Sequence, residues 1–149
     1  MPCNLYGPND NFDLNHSHVL PALMRKFHEA KLSRSREVVV WGTGSPMREF
    51  LHVDDLASGV IHCMNVYNEY EHINCGSGSE ISIRKLAETV QRVVGFEGSL
   101  VFDTTKPDGT PRKLMDSSRL HALGWKPRID LEDGIRQSYA WYIEKLGNS

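Results

Sequence analysis

The sequence has 149 residues, of which 40% are hydrophobic and 24% are charged, with a formal net charge of −2; it is the size of one ordinary domain and large enough to bury a core without disulfides or a metal. This near-neutral charge gives no reason to expect a nucleic acid or an anionic membrane as partner, and no apolar run approaches the roughly 20 residues that a membrane span needs. The three cysteines are widely spaced and form neither a CxxC motif nor a zinc-type cluster, so we predict a cytoplasmic protein with free thiols and no metal.

The chain begins with "MPCNLYGPNDNF", in which Asn4 and Tyr6 enter a turn made of Gly, Pro, Asn and Asp. This pattern is typical of a strand end that leads into a turn, but most of the strand is missing. We therefore expect the sequence to be a fragment of a longer protein.

A helix is the first long element that the pattern predicts. Apolar residues recur at helical spacing over 17–31, and Asn15 or Ser17 is the candidate N-cap. The segment "SRSRE" ends this helix, and "VVVWG" (38–42) is a short β-branched strand bounded by the turn "GTGSP".

The alternating segment "MREFLHV" predicts a second strand, with Arg48 and Glu49 on opposite faces. Because a tight turn separates it from the preceding strand, we predict a hairpin. Asp54 and Asp55 then begin a helix that runs to about Tyr67, where acids suit the positive N-terminal end. Its predicted buried stripe consists of Leu56, Val60, Cys63 or Met64, and Tyr67.

The second half of the chain alternates short strands and helices. "HINCGSG" predicts a short strand and a turn, and Ser82 caps a helix that stops at Gly95. "SLVFD" predicts a strand, and "TTKPDGTPRK" a turn-rich loop. A short helix, "DSSRLHALG", precedes a longer one that begins after the N-cap Asp130.

Several common catalytic motifs are missing from the sequence. The turns "GTG" (42–44) and "GSG" (76–78) lack the third glycine of a dinucleotide-binding fingerprint. No tyrosine is followed four residues later by a lysine, and neither GxSxG nor HExxH occurs. The chain therefore carries no complete catalytic constellation, and we expect it to be inactive alone.

Four segments, "NLYGPNDNF", "SHVLPAL", "VVVWGTGSPMREFLHVDDLA" and "VFDTTKPDGTPRKLMD", resemble the C-terminal half of the GDP-L-fucose synthase family, which belongs to the extended short-chain dehydrogenases. The resemblance covers nearly the whole chain. It implies a parent enzyme whose Rossmann half binds NADPH and supplies a Ser, Tyr and Lys for reduction and a Cys for epimerisation. It implies that this chain is the half that binds the GDP-sugar.

The resemblance assigns roles to residues near the start of the chain. His18 matches the histidine that acts as an acid in epimerisation beside the cofactor, and imidazole suits that role because its proton exchanges near neutral pH. The alternative is that His18 is an ordinary polar residue in the first turn of a helix, without a catalytic role. The resemblance implies that the cofactor is also bound by Pro2, Cys3, Asn4 and Leu5.

The resemblance further implies that Lys26, Trp41 and Arg48 bind the substrate. An arginine fixed on a strand can donate paired, charge-assisted hydrogen bonds to a phosphate, and Trp41 offers a flat face to the base or sugar. The alternatives are a solvated cation for Lys26, a core position for Trp41, and an ion pair with Asp54 or Asp55 for Arg48.

The loop "KPDGTPRK" supplies two further candidates for substrate binding, Asp108 as an acceptor and Lys113 as a cation for phosphate. Pro107 and Pro111 stiffen this loop, as a pre-organised binding segment requires. The alternative is an ordinary exposed turn that also carries Lys106 and Arg112.

The predicted fold is α/β, a small mixed sheet with surrounding helices, with most of the Rossmann domain absent. Residues 1–16 are the end of the Rossmann half and a connecting loop, and residues 17–149 are the substrate-binding domain. The resemblance implies a homodimer for the complete enzyme. The alternatives are part of another nucleotide-sugar epimerase or dehydratase, such as a UDP-sugar epimerase, and a non-catalytic nucleotide-binding or dimerisation module.

Overall fold

The computed structural model describes residues 1–147, which form an α/β fold as predicted. In chain order the elements are β1 (Asn4–Tyr6), α1 (Val19–Leu32), β2 (Glu37–Trp41), β3 (Met47–His52), α2 (Val53–Val66), β4 (Glu80–Ser82), α3 (Ile83–Val94), β5 (Ser99–Asp103), β6 (Arg112–Lys113), α4 (Ser118–Ala122) and α5 (Leu131–Gly147).

β3 is the central strand of a mixed four-stranded sheet. It pairs in parallel with β1 and β6 and antiparallel with β4. A second sheet consists of β2 and β5, paired in parallel from Glu37↔Ser99 to Trp41↔Asp103. The predicted small mixed sheet is therefore present, and β1 ties the first residues of the chain to it.

The predicted hairpin between β2 and β3 is wrong. All five residues of β2 pair with β5, and the following turn takes Gly42 and Gly44 through positive φ angles of 82° and 77°. Since β2 obtains its strand partner from later in the chain, the turn delivers β3 to a different sheet.

Two hydrophobic cores lie on either side of β3. Phe50 packs in the larger core with Leu23, Phe27, Leu86 and other residues of α1, α3 and α5. Leu51 packs in the smaller one with Cys75, Leu120 and Trp125. Because both faces of β3 are covered, four consecutive residues, from Glu49 to His52, are buried.

The helix ends agree with the sequence only in part. Ser82 caps α3 by accepting from the Lys85 N–H, and α3 ends at Gly95 with φ 71°, both as predicted. The predicted cap of α1 at Asn15 or Ser17 is wrong, because the helix starts two residues after Ser17 and His18 is the N-cap residue, without a side-chain cap hydrogen bond.

The predicted buried stripe of α2 is confirmed only in part, since Leu56 and Cys63 pack half-buried against the smaller core. Val60 and Met64 are 49% and 79% exposed, whereas Asp55 and Gly59 are buried. A Cβ at Gly59 would lie 2.9 Å from Cys75 Sγ and 3.1 Å from the Trp125 ring. The helix therefore packs most closely through Gly59, with Leu56 and Cys63 half-buried, and the predicted stripe is wrong at Val60 and Met64.

Two short strands, β4 and β6, were not predicted, and the expected strand in "HINCGSG" is reduced to an isolated bridge between Pro2 and Cys75. Within residues 1–147, no helix combines the length and apolar character that crossing a membrane requires.

Candidate functional site

A cleft of about 470 Å³ lies beside the first residues of the chain. Residues 3–10, His18 and Val53 line it. β1 forms one wall and is held to β3 by its parallel pairing and by Asn4 Nδ2, which donates to the Glu49 carbonyl oxygen at 2.7 Å. The structure thus brings Cys3, Asn4, Leu5 and His18 together in one cleft, as their shared assignment requires.

Pro2 lies outside that cleft and lines a neighbouring one of about 370 Å³ with Cys3, Asn4, Lys113, Leu114 and Met115. The resemblance assigns Pro2 to the cofactor and Lys113 to the substrate, and both residues line this second cleft. The two clefts share Cys3 and Asn4 as a common wall.

Burial raises the pKa of two groups in the first cleft, Cys3 and Asp10. Burial, and then the nearby Glu49 carboxylate, raises the pKa of Cys3 to about 12, so this thiol keeps its proton at neutral pH. Burial also raises the pKa of Asp10, although the Asn11 N–H and the His18 charge act against it. His18 itself is exposed at the start of α1.

Arg48 lies on β3, where its Nη1 donates to the Met47 carbonyl oxygen at 2.8 Å. The alternative of an ion pair with Asp54 or Asp55 is not seen in residues 1–147. Asp55 accepts from two backbone N–H groups, and Asp54 lies 3.7 Å from His52 Nδ1. The remaining guanidinium donors are thus available to a ligand.

Arg48 and Lys113 are direct neighbours on the adjacent parallel strands β3 and β6. Like charges placed opposite each other on neighbouring strands are destabilising unless an anion lies between them. Arg112, the preceding residue, pairs with Glu80 at 2.8 Å, but within the described chain Lys113 has no acidic partner. A pair of cations placed in this way is suited to a phosphate group.

Trp41 stands at the end of β2 and is 64% exposed, so the alternative of a core position is wrong. Two cations flank its ring, Lys26 Nζ at 5.4 Å and Lys106 Nζ at 5.7 Å from the centroid. Lys26 also donates to the Val39 carbonyl oxygen at 3.4 Å, and burial lowers its pKa. An exposed aromatic face beside two cations suits a nucleotide, with its flat base and charged phosphates.

Asp108 has a structural role that the sequence did not reveal. Its Oδ1 accepts from the Thr43 N–H at 2.7 Å, and its Oδ2 accepts from the Thr43 hydroxyl at 2.8 Å. A Cβ at Gly42 would lie 2.2 Å from Oδ1, so glycine is required there for space as well as for its φ of 82°. Asp108 therefore fastens its loop to the turn that follows Trp41, and direct substrate contact stays a prediction.

The loop that follows β5 connects the two groups of candidate substrate residues. Its Lys106 lies over Trp41, and a Cβ at Gly109 would lie 3.9 Å from Arg48 Nη2. Its last residues form β6, which places Lys113 next to Arg48. One loop thus joins an aromatic face to a pair of cations.

Glu49 is a residue near the site that sequence reasoning missed. It is fully buried, and its carboxylate accepts hydrogen bonds from Gly78 N–H, Met115 N–H and the Ser77 hydroxyl. The available signal was an acid between Met47 and Leu51 on an otherwise apolar face of the strand, since a buried carboxylate needs partners.

The model of the NAD dependent epimerase/dehydratase family matches residues 1–76 of the chain. GDP-L-fucose synthase 1 of Arabidopsis thaliana is 64% identical over 148 residues, which cover 99% of this chain and 46% of that protein. GDP-L-fucose synthase of Escherichia coli is 54% identical over 153 residues, covering 97% of this chain and 48% of that protein. The chain spans about half the length of the curated relatives it matches.

Solved structures also match the chain over nearly its whole length. The crystal structure of a GDP-L-fucose synthetase from Naegleria fowleri matches with a TM-score of 0.93 at 33% identity, covering 99% of this chain and 46% of that one. A second crystal structure under the same name, bound to NADP, matches equally well and is covered to 47%.

Proposed function

The chain belongs to the NAD dependent epimerase/dehydratase family, and from this membership we propose that it is the GDP-sugar-binding half of a GDP-L-fucose synthase. The complete enzyme would convert GDP-4-keto-6-deoxy-D-mannose to GDP-L-fucose with NADPH. Epimerisation at carbons 3 and 5 precedes reduction at carbon 4. The observation that carries this proposal is the pairing of Arg48 with Lys113 near the exposed ring of Trp41.

In this proposal the diphosphate lies against Arg48 and Lys113. A guanidinium donates to a phosphate through two parallel hydrogen bonds, while the lysine supplies a compact positive charge. Binding of the diphosphate removes the repulsion between these neighbouring cations, so part of the affinity comes from relieving a strain that exists in the free protein. Lys26, whose ammonium is partly desolvated, gains from an approaching negative charge for the same reason.

His18 is proposed as the acid of epimerisation. Inverting a carbon beside a ketone requires that one group remove a proton from one face and another return a proton to the opposite face. His18 is exposed in the first cleft and would return the proton, whereas Cys3 would not remove one, because its pKa is raised to about 12 and almost no thiolate is present at neutral pH. The proton-removing cysteine would come from the N-terminal half.

The cofactor fits one part of this chain and not the rest. The cleft lined by Cys3, Asn4, Leu5 and His18 is open and has few charged residues, which suits the nicotinamide end of NADPH. The cofactor phosphates require a glycine-rich turn that this sequence lacks, so they would be held by the N-terminal half. When bound, NADPH supplies the hydride for carbon 4.

The complete enzyme is further proposed to be a homodimer, as the resemblance implies, and to be cytoplasmic, as its free thiols suggest. Light scattering on the chain joined to the N-terminal half of the Arabidopsis thaliana relative would measure its oligomeric state. A monomer at micromolar concentration would contradict the dimer without affecting the proposed substrate.

Calorimetry on the same joined protein tests the substrate. We expect GDP to bind and Arg48→Ala to weaken binding by about 1.5 to 3 kcal/mol, the range for a hydrogen bond to a charged group. Arg112→Ala is the matched control, because Arg112 precedes Lys113 in β6 and its side chain pairs with Glu80. An unchanged affinity in Arg48→Ala would contradict the assignment.

UDP serves as the competing ligand in this experiment. If UDP binds as tightly as GDP, the alternative of a UDP-sugar enzyme gains support. If GDP binds but the joined protein neither epimerises nor reduces the keto-sugar, the chain is better described as a non-catalytic nucleotide-binding module.

A further inference from the structure

Glu49 is a buried acid that the proposed chemistry does not use. It follows Arg48 in β3, and because side chains alternate along a strand it points to the opposite face from Arg48. We propose that Glu49 is a positioning residue, which holds Lys113 in register beside Arg48 and so assembles the phosphate-binding pair before a ligand arrives. This inference rests on the proposed function, because it takes Arg48 and Lys113 to be the phosphate site.

The two carboxylate oxygens of Glu49 bind two separate segments of the chain. Oε1 accepts from the Gly78 N–H at 2.7 Å and from the Ser77 hydroxyl at 3.3 Å. Oε2 accepts from the Met115 N–H at 3.0 Å. The carboxylate therefore connects β3, the "GSG" turn and the segment that follows β6.

Lys113 needs such an anchor because β6 is very short. β6 consists of two residues, paired as Met47↔Arg112 and Arg48↔Lys113. On the N-terminal side, the Met47 N–H donates to the Pro111 carbonyl oxygen at 2.8 Å. On the C-terminal side, Met115 donates to Glu49, so Lys113 lies between two fixed points.

The chemistry of this contact requires a carboxylate. Both oxygens face N–H donors, and a glutamine would present an NH₂ group to one of them, so it could accept from only one of the two segments. Within residues 1–147, Glu49 forms no ion pair, and its charge is stabilised by hydrogen-bond donors alone. Charge-assisted hydrogen bonds of this kind are among the stronger ones in proteins.

The carboxylate is also confined sterically. A Cβ at Gly76 would lie 2.5 Å from Glu49 Oε1 and 2.8 Å from Ser117 Oγ, so the backbone of Gly76 leaves Oε1 no room to move in that direction. The Glu49 main chain contributes as well, since its carbonyl oxygen accepts from Asn4 Nδ2 at 2.7 Å. One residue thereby fixes a wall of the His18 cleft and the position of Lys113.

Two substitutions test the inference in the 149-residue chain. Glu49→Gln removes one of the two anchors, and Gly76→Ala displaces the carboxylate without changing its charge. Glu88→Gln is the control for the change of charge, because Glu88 lies on α3 and pairs with Lys85 rather than with a residue of β6. Circular dichroism confirms that each variant is folded.

Calorimetry with GDP gives the first readout. We expect Glu49→Gln and Gly76→Ala each to weaken GDP binding by about 10-fold or more, the loss that a charge-assisted hydrogen bond represents. We expect Glu88→Gln to stay within about two-fold of the parent chain. In a Lys113→Ala background the added effect of Glu49→Gln should shrink to about two-fold or less, because the residue that it positions is gone.

Nuclear magnetic resonance gives a readout that does not depend on GDP. In the parent chain, interstrand contacts between Arg48 and Lys113 should be visible, and the Met115 amide should exchange slowly with solvent. Both signs of order should be lost in Glu49→Gln and kept in Glu88→Gln. A purely structural acid would leave these local contacts unchanged in a folded variant.

The outcomes separate this inference from the proposed function. If the parent chain and all variants fail to bind GDP, the proposed substrate is contradicted, and the resonance data alone decide whether Glu49 positions Lys113. The inference is overturned if Glu49→Gln keeps the contacts between Arg48 and Lys113. It is equally overturned if its effect on GDP affinity is undiminished in the Lys113→Ala background.

Discussion

Asp55 offers the sharpest test of how this fold is held together. It is 3% exposed at the start of α2, and its carboxylate accepts from the backbone N–H groups of Arg128 and Ile129, each at 3.0 Å. These two residues precede α5, so the side chain joins two helices that are far apart in sequence. Asp54 is the matched control, because it occupies the same helix end with a side chain that is 73% exposed.

The expected magnitude follows from this geometry. Asp55→Asn keeps one oxygen for one N–H group and turns an NH₂ group toward the other, so a buried donor loses its partner at a cost of about 2 to 4 kcal/mol in the free energy of unfolding. Asp54→Asn loses only the interaction of a charge with the helix N-terminus, about 0.3 to 1 kcal/mol. Both variants lose the interaction of the charge with the helix N-terminus. The difference between their free energies of unfolding therefore measures the hydrogen bond that Asp55→Asn loses.

Urea unfolding followed by circular dichroism at neutral pH measures both variants. The slope of the free energy against urea concentration should be the same in the parent chain and in each variant, so that a shift in midpoint reports stability alone. If Asp55→Asn and Asp54→Asn differ by less than about 0.5 kcal/mol, the size of ordinary surface effects, the reasoning from the forked hydrogen bonds is refuted.

Three further predictions concern activity and pH. The 149-residue chain alone should oxidise no NADPH in the presence of the keto-sugar, because it lacks the glycine-rich turn and the Tyr/Lys pair; consumption above a buffer blank would contradict this. In the chain joined to an N-terminal half, His18→Asn should reduce solvent deuterium incorporation at carbons 3 and 5 by about 10²-fold, and incorporation at the parental rate would remove His18 from the mechanism. Hydrogen bonds from Arg92 and Arg136, together with their charges, lower the pKa of Glu132 from its ordinary value of 4.5. Its ionised form therefore stabilises the fold above that pH, and this stability is lost as the pH falls through the folded pKa. On acid titration, Glu132→Gln should lose less free energy of unfolding than the parent chain.

The resemblance supplied candidate site residues, but it did not supply their arrangement. The resemblance supplied Arg48, Lys113, Trp41 and His18 as candidates, and the structure brings Arg48 and Lys113 together as strand neighbours. The role of Asp108 in fastening the loop depends on Thr43, which is 65 residues away in sequence. Glu49 escaped notice for the same reason, because its partners lie in segments that no local pattern connects to it.

Local signals determined most of the elements. The apolar periodicity of α1 and α3, the cap at Ser82, the helix end at Gly95 and the short apolar run within "SLVFD" depend on interactions within a few residues, so the sequence predicts them. Tertiary structure alone decided that β2 pairs with β5, that β3 lies between two cores, and that α2 packs through Gly59. Strand partners and buried faces depend on which distant surfaces meet, and hydrophobic spacing along one segment carries no information about the surface that will cover it.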